Sequence, residues 1–125
     1  MSEIESPAQA EIRLEASRLG HRLWRNNSGV LFNEVGRPIR FGLCNDSPAM
    51  NEQVKSLDLI GLTSTGRFFA VEVKPPSWVF RGSPRERAQL AFIQMVRRMQ
   101  GVAFFARSVE EFRRHLDEAL RDLSC

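Results

Sequence analysis

The feature that most constrains this chain is a pair of short apolar segments, Leu57–Thr63 and Arg67–Lys74, separated by Ser64-Thr65-Gly66. Both have strand length and branched or aromatic residues. A three-residue loop ending in Gly suits a hairpin, because its last position needs left-handed backbone. With that loop Thr63 faces Arg67, and counting back along the ladder sets Asp58 opposite Glu72. Opposed residues of an antiparallel pair project from one face with Cβ atoms roughly 4.5–5.5 Å apart. Lys74 stands two residues beyond Glu72, so alternation aims it from that face too. A loop of another length would turn Asp58 to the opposite face.

The neighbours of these groups make the spacing chemically notable. Asp58 sits within Leu57-Asp58-Leu59-Ile60-Gly61-Leu62, and Glu72 and Lys74 within Phe68-Phe69-Ala70-Val71-Glu72-Val73-Lys74. Carboxylates among residues this apolar are costly unless paired or bound to a metal. Two acids brought together repel, and hard oxygen ligands point to Mg²⁺ or Mn²⁺ over zinc. The plainer alternative is a hairpin edge with Asp58 and Lys74 solvated and Glu72 paired to Lys74.

Around this hairpin the chain alternates helix and strand signals. Ser6-Pro7-Ala8-Gln9, Ser83-Pro84-Arg85-Glu86 and Ser108-Val109-Glu110-Glu111 each place Ser at a cap with Gln or Glu three residues on. That is the grammar of a capping box, with Pro at the first helical position in two of them. Helices are expected over about 7–19, 84–100 and 109–123, with Gly20 and Gly101 as stops. Strands are expected at His21–Asn26, Val30–Phe32, Arg37–Phe41 and Val102–Ala106, and residues 42–56 read as an exposed loop. The order predicts an α/β fold, a mixed sheet flanked by helices, as a single domain over 1–125. No apolar run reaches the length of a membrane span, and Met1-Ser2-Glu3-Ile4-Glu5 has no signal-peptide core. Cys44 and Cys125 have no zinc or disulfide-framework spacing, which fits a reducing, cytoplasmic setting. Net charge is only +3, yet 16 of the 18 basic residues are Arg, whose planar fork suits phosphate. His21 and His115 lack ligand spacing and read as structural.

Asp58 followed by Glu72-Val73-Lys74 on the next strand resembles the core of the PD-(D/E)XK nucleases, the restriction-endonuclease-like fold. More narrowly, Leu57-Asp58-Leu59-Ile60-Gly61 and Phe69-Ala70-Val71-Glu72-Val73-Lys74-Pro75-Pro76 resemble the VRR-NUC family, in its stand-alone phage and bacterial form. The likeness extends to Glu11, to Arg25-Asn26-Asn27-Ser28-Gly29, to Gln89-Leu90-Ala91-Phe92-Ile93, to Gly101-Val102-Ala103 and to Arg107-Ser108-Val109-Glu110-Glu111. It therefore runs in order along nearly the whole chain.

The resemblance implies metal-dependent hydrolysis of DNA phosphodiesters. Asp58, Glu72 and the main-chain carbonyl of Val73 would hold Mg²⁺ or Mn²⁺, with Glu11 as a further ligand from the first helix. Lys74 would position water or offset charge on the phosphate, and Gln89 would touch water or phosphate. It also implies a homodimer acting on branched DNA such as Holliday junctions, in a bacterial cell or phage-infected host. The connection Pro75–Ser83 is longer than the family's usual Gly- and Ser-containing link and bears Trp78 and Phe80, so Gln94 stands as the fallback for Gln89. Trp78 and Phe80 read as core or dimer contacts, or as a wedge against a base. Arg81, Arg85 and Arg87 face one acid, Glu86, in the same region, and Arg25, Asn26 and Asn27 join them by analogy as DNA-binding candidates. A non-catalytic DNA-binding or accessory module that keeps the nuclease fold is the alternative.

Overall fold

The structure is a computed structural model that describes residues 5–123; Met1-Ser2-Glu3-Ile4, Ser124 and Cys125 lie outside the described residues. The elements in chain order are α1 Pro7–Arg18, β1 Arg22–Arg25, β2 Gly29–Phe32, β3 Pro38–Phe41 and α2 Pro48–Gln53. They continue with β4 Leu59–Leu62, β5 Phe68–Val73, α3 Pro84–Arg98, β6 Val102–Ala106 and α4 Val109–Leu123. Helix starts follow the capping grammar. Ser6 and Ser83 accept the backbone N–H of Gln9 and Glu86, whose side chains return a bond to the cap backbone.

Four strands form one mixed sheet in the order β1-β4-β5-β6, while β2 and β3 form a separate two-stranded ribbon. β1, β4 and β5 are antiparallel neighbours, and β6 joins β5 in parallel after the α3 crossover. One face of the sheet packs Leu59, Phe69, Val71 and Phe104 against Ile12 and Ala16 of α1 and Phe112 and Leu116 of α4. The other face packs Ala70 and Ala103 against Phe92, Ile93 and Val96 of α3. Covered on both faces, β5 is buried along most of its length, and this is what buries Glu72.

The hairpin has the expected loop. The Thr63 N–H donates to the Arg67 carbonyl (2.9 Å), and Gly66 sits at φ +86°. Buried His21 accepts the Ser64 N–H at Nδ1 (2.9 Å) and lies edge-on to Phe69, so it is a structural residue that pins the turn. Gly61 lies so close to β1 that a Cβ there would overlap the Arg22 carbonyl. Glu15 ties α1 to α4 through Arg113 (2.7 Å) while also holding Arg18 (2.6 Å).

Residues 42–56 are not simply a loop. They contain α2, whose Ser47 cap accepts the Met50 N–H (3.1 Å) and whose first residue is Pro48. The signal was present but incomplete, because Met50 stands where a capping box has Glu or Gln. Among the described residues no helix is long and apolar enough to cross a membrane.

Candidate active site

Leu59 lies opposite Val71, and one step further along the same register Asp58 meets Glu72. The contact is reciprocal. The Asp58 N–H donates to Glu72 Oε1 (2.9 Å), and the Val73 N–H donates to Asp58 Oδ2 (3.0 Å). Alternation along β5 puts Glu72 and Lys74 on the α3 face, where Gln89 is fully buried. Gln89 joins the two: its Oε1 accepts from Lys74 Nζ (2.9 Å), and its Nε2 donates to Glu72 Oε2 (3.0 Å). Lys74 Nζ also lies 3.7 Å from Glu72 Oε2. Asp58, Glu72, Lys74 and Gln89 thus form one bonded cluster at the end of the β4–β5 hairpin. The alternative of a solvated hairpin edge does not hold for this cluster.

The electrostatics follow from burial. Glu72 is only 5% exposed. Loss of water is the main force raising its carboxyl above the ordinary range, and the adjacent Asp58 charge raises it further. Lys74, the Asp58 backbone N–H and Arg85 oppose this only in part. Asp58 is raised too, again first by burial, against bonds from the Val73 N–H and the Gln9 side chain, the Lys74 charge and a hydrogen bond with Glu72. Two carboxyl groups in hydrogen-bond contact cannot both ionise cheaply; the pair holds a proton unless a cation replaces it.

Of the other expected residues, Gln89 takes the position, and Gln94 is exposed on the far side of α3. Glu11 does not join the site. It is exposed on α1, and no group of three or more His, Cys, Asp or Glu side chains that could hold a metal occurs among the described residues. Gln9 reaches Asp58 instead. The sequence marks Gln9 only as a cap residue, and it does both jobs: its Oε1 accepts the Ser6 N–H (3.4 Å), leaving the amide nitrogen for Asp58.

Asn26 sits beside the cluster, but its side-chain amide donates to Ser56 Oγ (2.9 Å) and the Leu57 carbonyl (2.8 Å), and its N–H to the Asp58 carbonyl (2.8 Å). Its place is therefore to fix the approach to β4. Arg25 is half-buried at the end of β1, and Asn27 is exposed in the link to β2. Arg81, Arg85 and Arg87 are all exposed, and Arg87 donates to the Gly82 carbonyl (2.8 Å). Arg85 is close enough for its charge to favour ionised Glu72 and, with Arg40, to disfavour charged Lys55, whose pKa is lowered first by burial. Lys55 is fastened to α3 by its N–H to the Ala88 carbonyl (3.1 Å). No spacing signal marks it, because α2 and the following turn bring it there.

The donor set fits a hard divalent cation. Two carboxylates share a proton that such an ion would displace, and an amine and an amide flank them without offering soft ligands. Comparison of the chain with protein-family models, with curated proteins and with solved structures finds no match.

Proposed function

We propose that this chain is a metal-dependent deoxyribonuclease of the VRR-NUC type, with a PD-(D/E)XK core, cutting branched DNA. The observation that carries this reading is the contact of half-buried Asp58 with buried Glu72, two acids with raised pKa values, the second bridged through Gln89 to Lys74. A purely structural pair would be more stable as an apolar or amide pair. Acids held apart from their preferred ionisation are the mark of a working site.

Asp58 and Glu72 are the residues that would hold Mg²⁺ or Mn²⁺, with the Val73 carbonyl beside them. Such an ion supplies polarisation of a phosphate oxygen and a bound water of lowered pKa. Lys74, fixed by Gln89, would present an ammonium to the phosphate and offset charge as the five-coordinate state develops. Gln89 acts as a positioning residue between acid and amine, a change from the direct substrate contact first expected of it. Gln9 orients Asp58. Arg85, whose charge reaches Glu72, would attract a phosphate backbone to the cluster, with exposed Arg81 and Arg87 of the same segment adding positive charge. One chain carries one site, so cutting two strands of a junction calls for a two-fold homodimer. The setting we propose is the cytoplasm of a bacterial cell, or of a phage-infected host.

The test is incubation with linear, flap and four-way-junction DNA in Mg²⁺, in Mn²⁺ and with chelator. Cleavage that needs the metal and favours a branched substrate is expected. No cleavage of any substrate would overturn the reading in favour of the accessory module.

A further inference from the structure

The long connection after Lys74 is anchored, and its anchoring builds a second feature. Buried Glu86 accepts the Trp78 indole N–H (2.7 Å) and the Arg81 backbone N–H (2.9 Å). Trp78 is thereby set against Phe105 of β6, with ring centroids 5.0 Å apart, and Phe80 lies 6.2 Å from Trp78 and 6.1 Å from Phe105. A cleft of about 400 Å³ opens between these rings, α3 and α4. That volume falls in the range of sites that enclose small planar ligands.

The walls combine aromatic and aliphatic faces with two arginines and one acid, Glu111. Arg97 lines the cleft from α3, exposed and held by its Nε–H to the Ala103 carbonyl (2.9 Å). Arg107 lines it near α4, where Glu111 and the Trp78 carbonyl hold its guanidinium. Lys74 closes the argument by position: its Nζ lies 5.4 Å from the centre of the Trp78 ring and 5.7 Å from that of Phe105. The two rings that touch the site amine therefore also form the wall of the cleft. Aromatic platforms flanked by arginine are what an unpaired base and its neighbouring phosphates require, since every base offers a π-face and every phosphate a charge. An apolar protein side chain would use the rings but offer nothing to the charge of exposed Arg97.

We propose that the Trp78–Phe80–Phe105 cleft receives an unpaired nucleobase of a single strand, one nucleotide removed from the phosphate held at Lys74. This rests on the nuclease reading for the phosphate, and it adds a preference for substrates that offer an unpaired nucleotide at the cut.

The chain has two tryptophans, and Trp24 is 51% exposed on β1, so Trp24→Phe leaves Trp78 as the only indole. Its fluorescence is followed in chelator, where nothing is cut, as a short oligothymidylate or a blunt duplex is added. Saturable quenching by the oligothymidylate and much less by the duplex is expected. Phe80→Ala, at an exposed position that spares the core, should weaken that binding about 5- to 100-fold, the worth of one stacked base. Equal quenching by both nucleic acids, no quenching by the oligothymidylate, or an unchanged affinity in Phe80→Ala overturns the proposal. Quenching that instead follows protein concentration alone also overturns it, in favour of a second copy in the cleft. Cleavage without quenching removes the cleft and keeps the nuclease, whereas quenching without cleavage of any DNA does the reverse.

Discussion

Asp58→Asn should make the metal-free protein more stable while abolishing its activity. The substitution keeps the size of the side chain and its acceptor for the Val73 N–H. It replaces the other oxygen with an NH₂ that can donate to Glu72, keeping at high pH a hydrogen bond that the acid pair makes only while it holds a proton. Two unit charges about 4 Å apart interact by roughly 4 kcal/mol at an effective dielectric near 20. Lys74 and Arg85 already offset part of this at Glu72, so the net gain is about 1–3 kcal/mol. For a chain of this size that raises the melting temperature by roughly 4–10 °C.

The pH dependence carries the sign. Glu72 is raised above its ordinary value of 4.5, so the folded state keeps a proton that the unfolded chain releases. Stability is fully present below that ordinary value, falls as pH climbs towards the raised one, and is flat beyond. Asp58, also raised, contributes in the same direction. Urea unfolding in chelator at about pH 5 and about pH 8 measures the effect. Asp58→Asn should show a smaller loss of stability between the two and the larger gain at the higher pH. A variant less stable than the wild type at the higher pH, or one with the same loss between them, would refute the reasoning.

Lys74→Ala should lower cleavage about 10²- to 10³-fold, the cost of removing one charge-stabilising donor; fluorescence anisotropy on junction DNA should show binding largely kept. Gln89→Leu deprives Lys74 Nζ and Glu72 Oε2 of a shared partner in a buried position. It should destabilise by about 1–3 kcal/mol in urea titrations and slow cleavage with little change in substrate KM. Gly61→Ala must push β1 away from β4; a loss of at least about 1–3 kcal/mol is expected from thermal melts, and an unchanged melting point would contradict the close approach.

How much of this was legible in the sequence depends on what sets each feature. The central register was, because Gly66 and a three-residue loop fix which residues oppose one another, and one face then follows by alternation. Three of the four helices were, because Ser caps and Pro7 and Pro84 act locally. The donor from α1 was not. Gln9 and Glu11 are two residues apart, about 200° around a helix, and only tertiary packing decides which side turns to the sheet. The departure of β2 and β3 into their own ribbon was also hidden. Alternating residues mark a strand, but nothing in Val30–Phe32 or Pro38–Phe41 names the strand it pairs with. The aromatic cluster over Lys74 depends on Glu86 catching Trp78, a contact between residues that local patterns treat as cap and loop.

The most direct measurement is a titration of Mn²⁺ into the protein, with free Mn²⁺ read by electron paramagnetic resonance. Saturable uptake by the wild type is expected, tightening as pH rises and Glu72 gives up its proton, and lost in Asp58→Asn. A wild type that takes up no Mn²⁺, or an Asp58→Asn protein that binds it as well, would contradict the assignment of these two acids to a single ion.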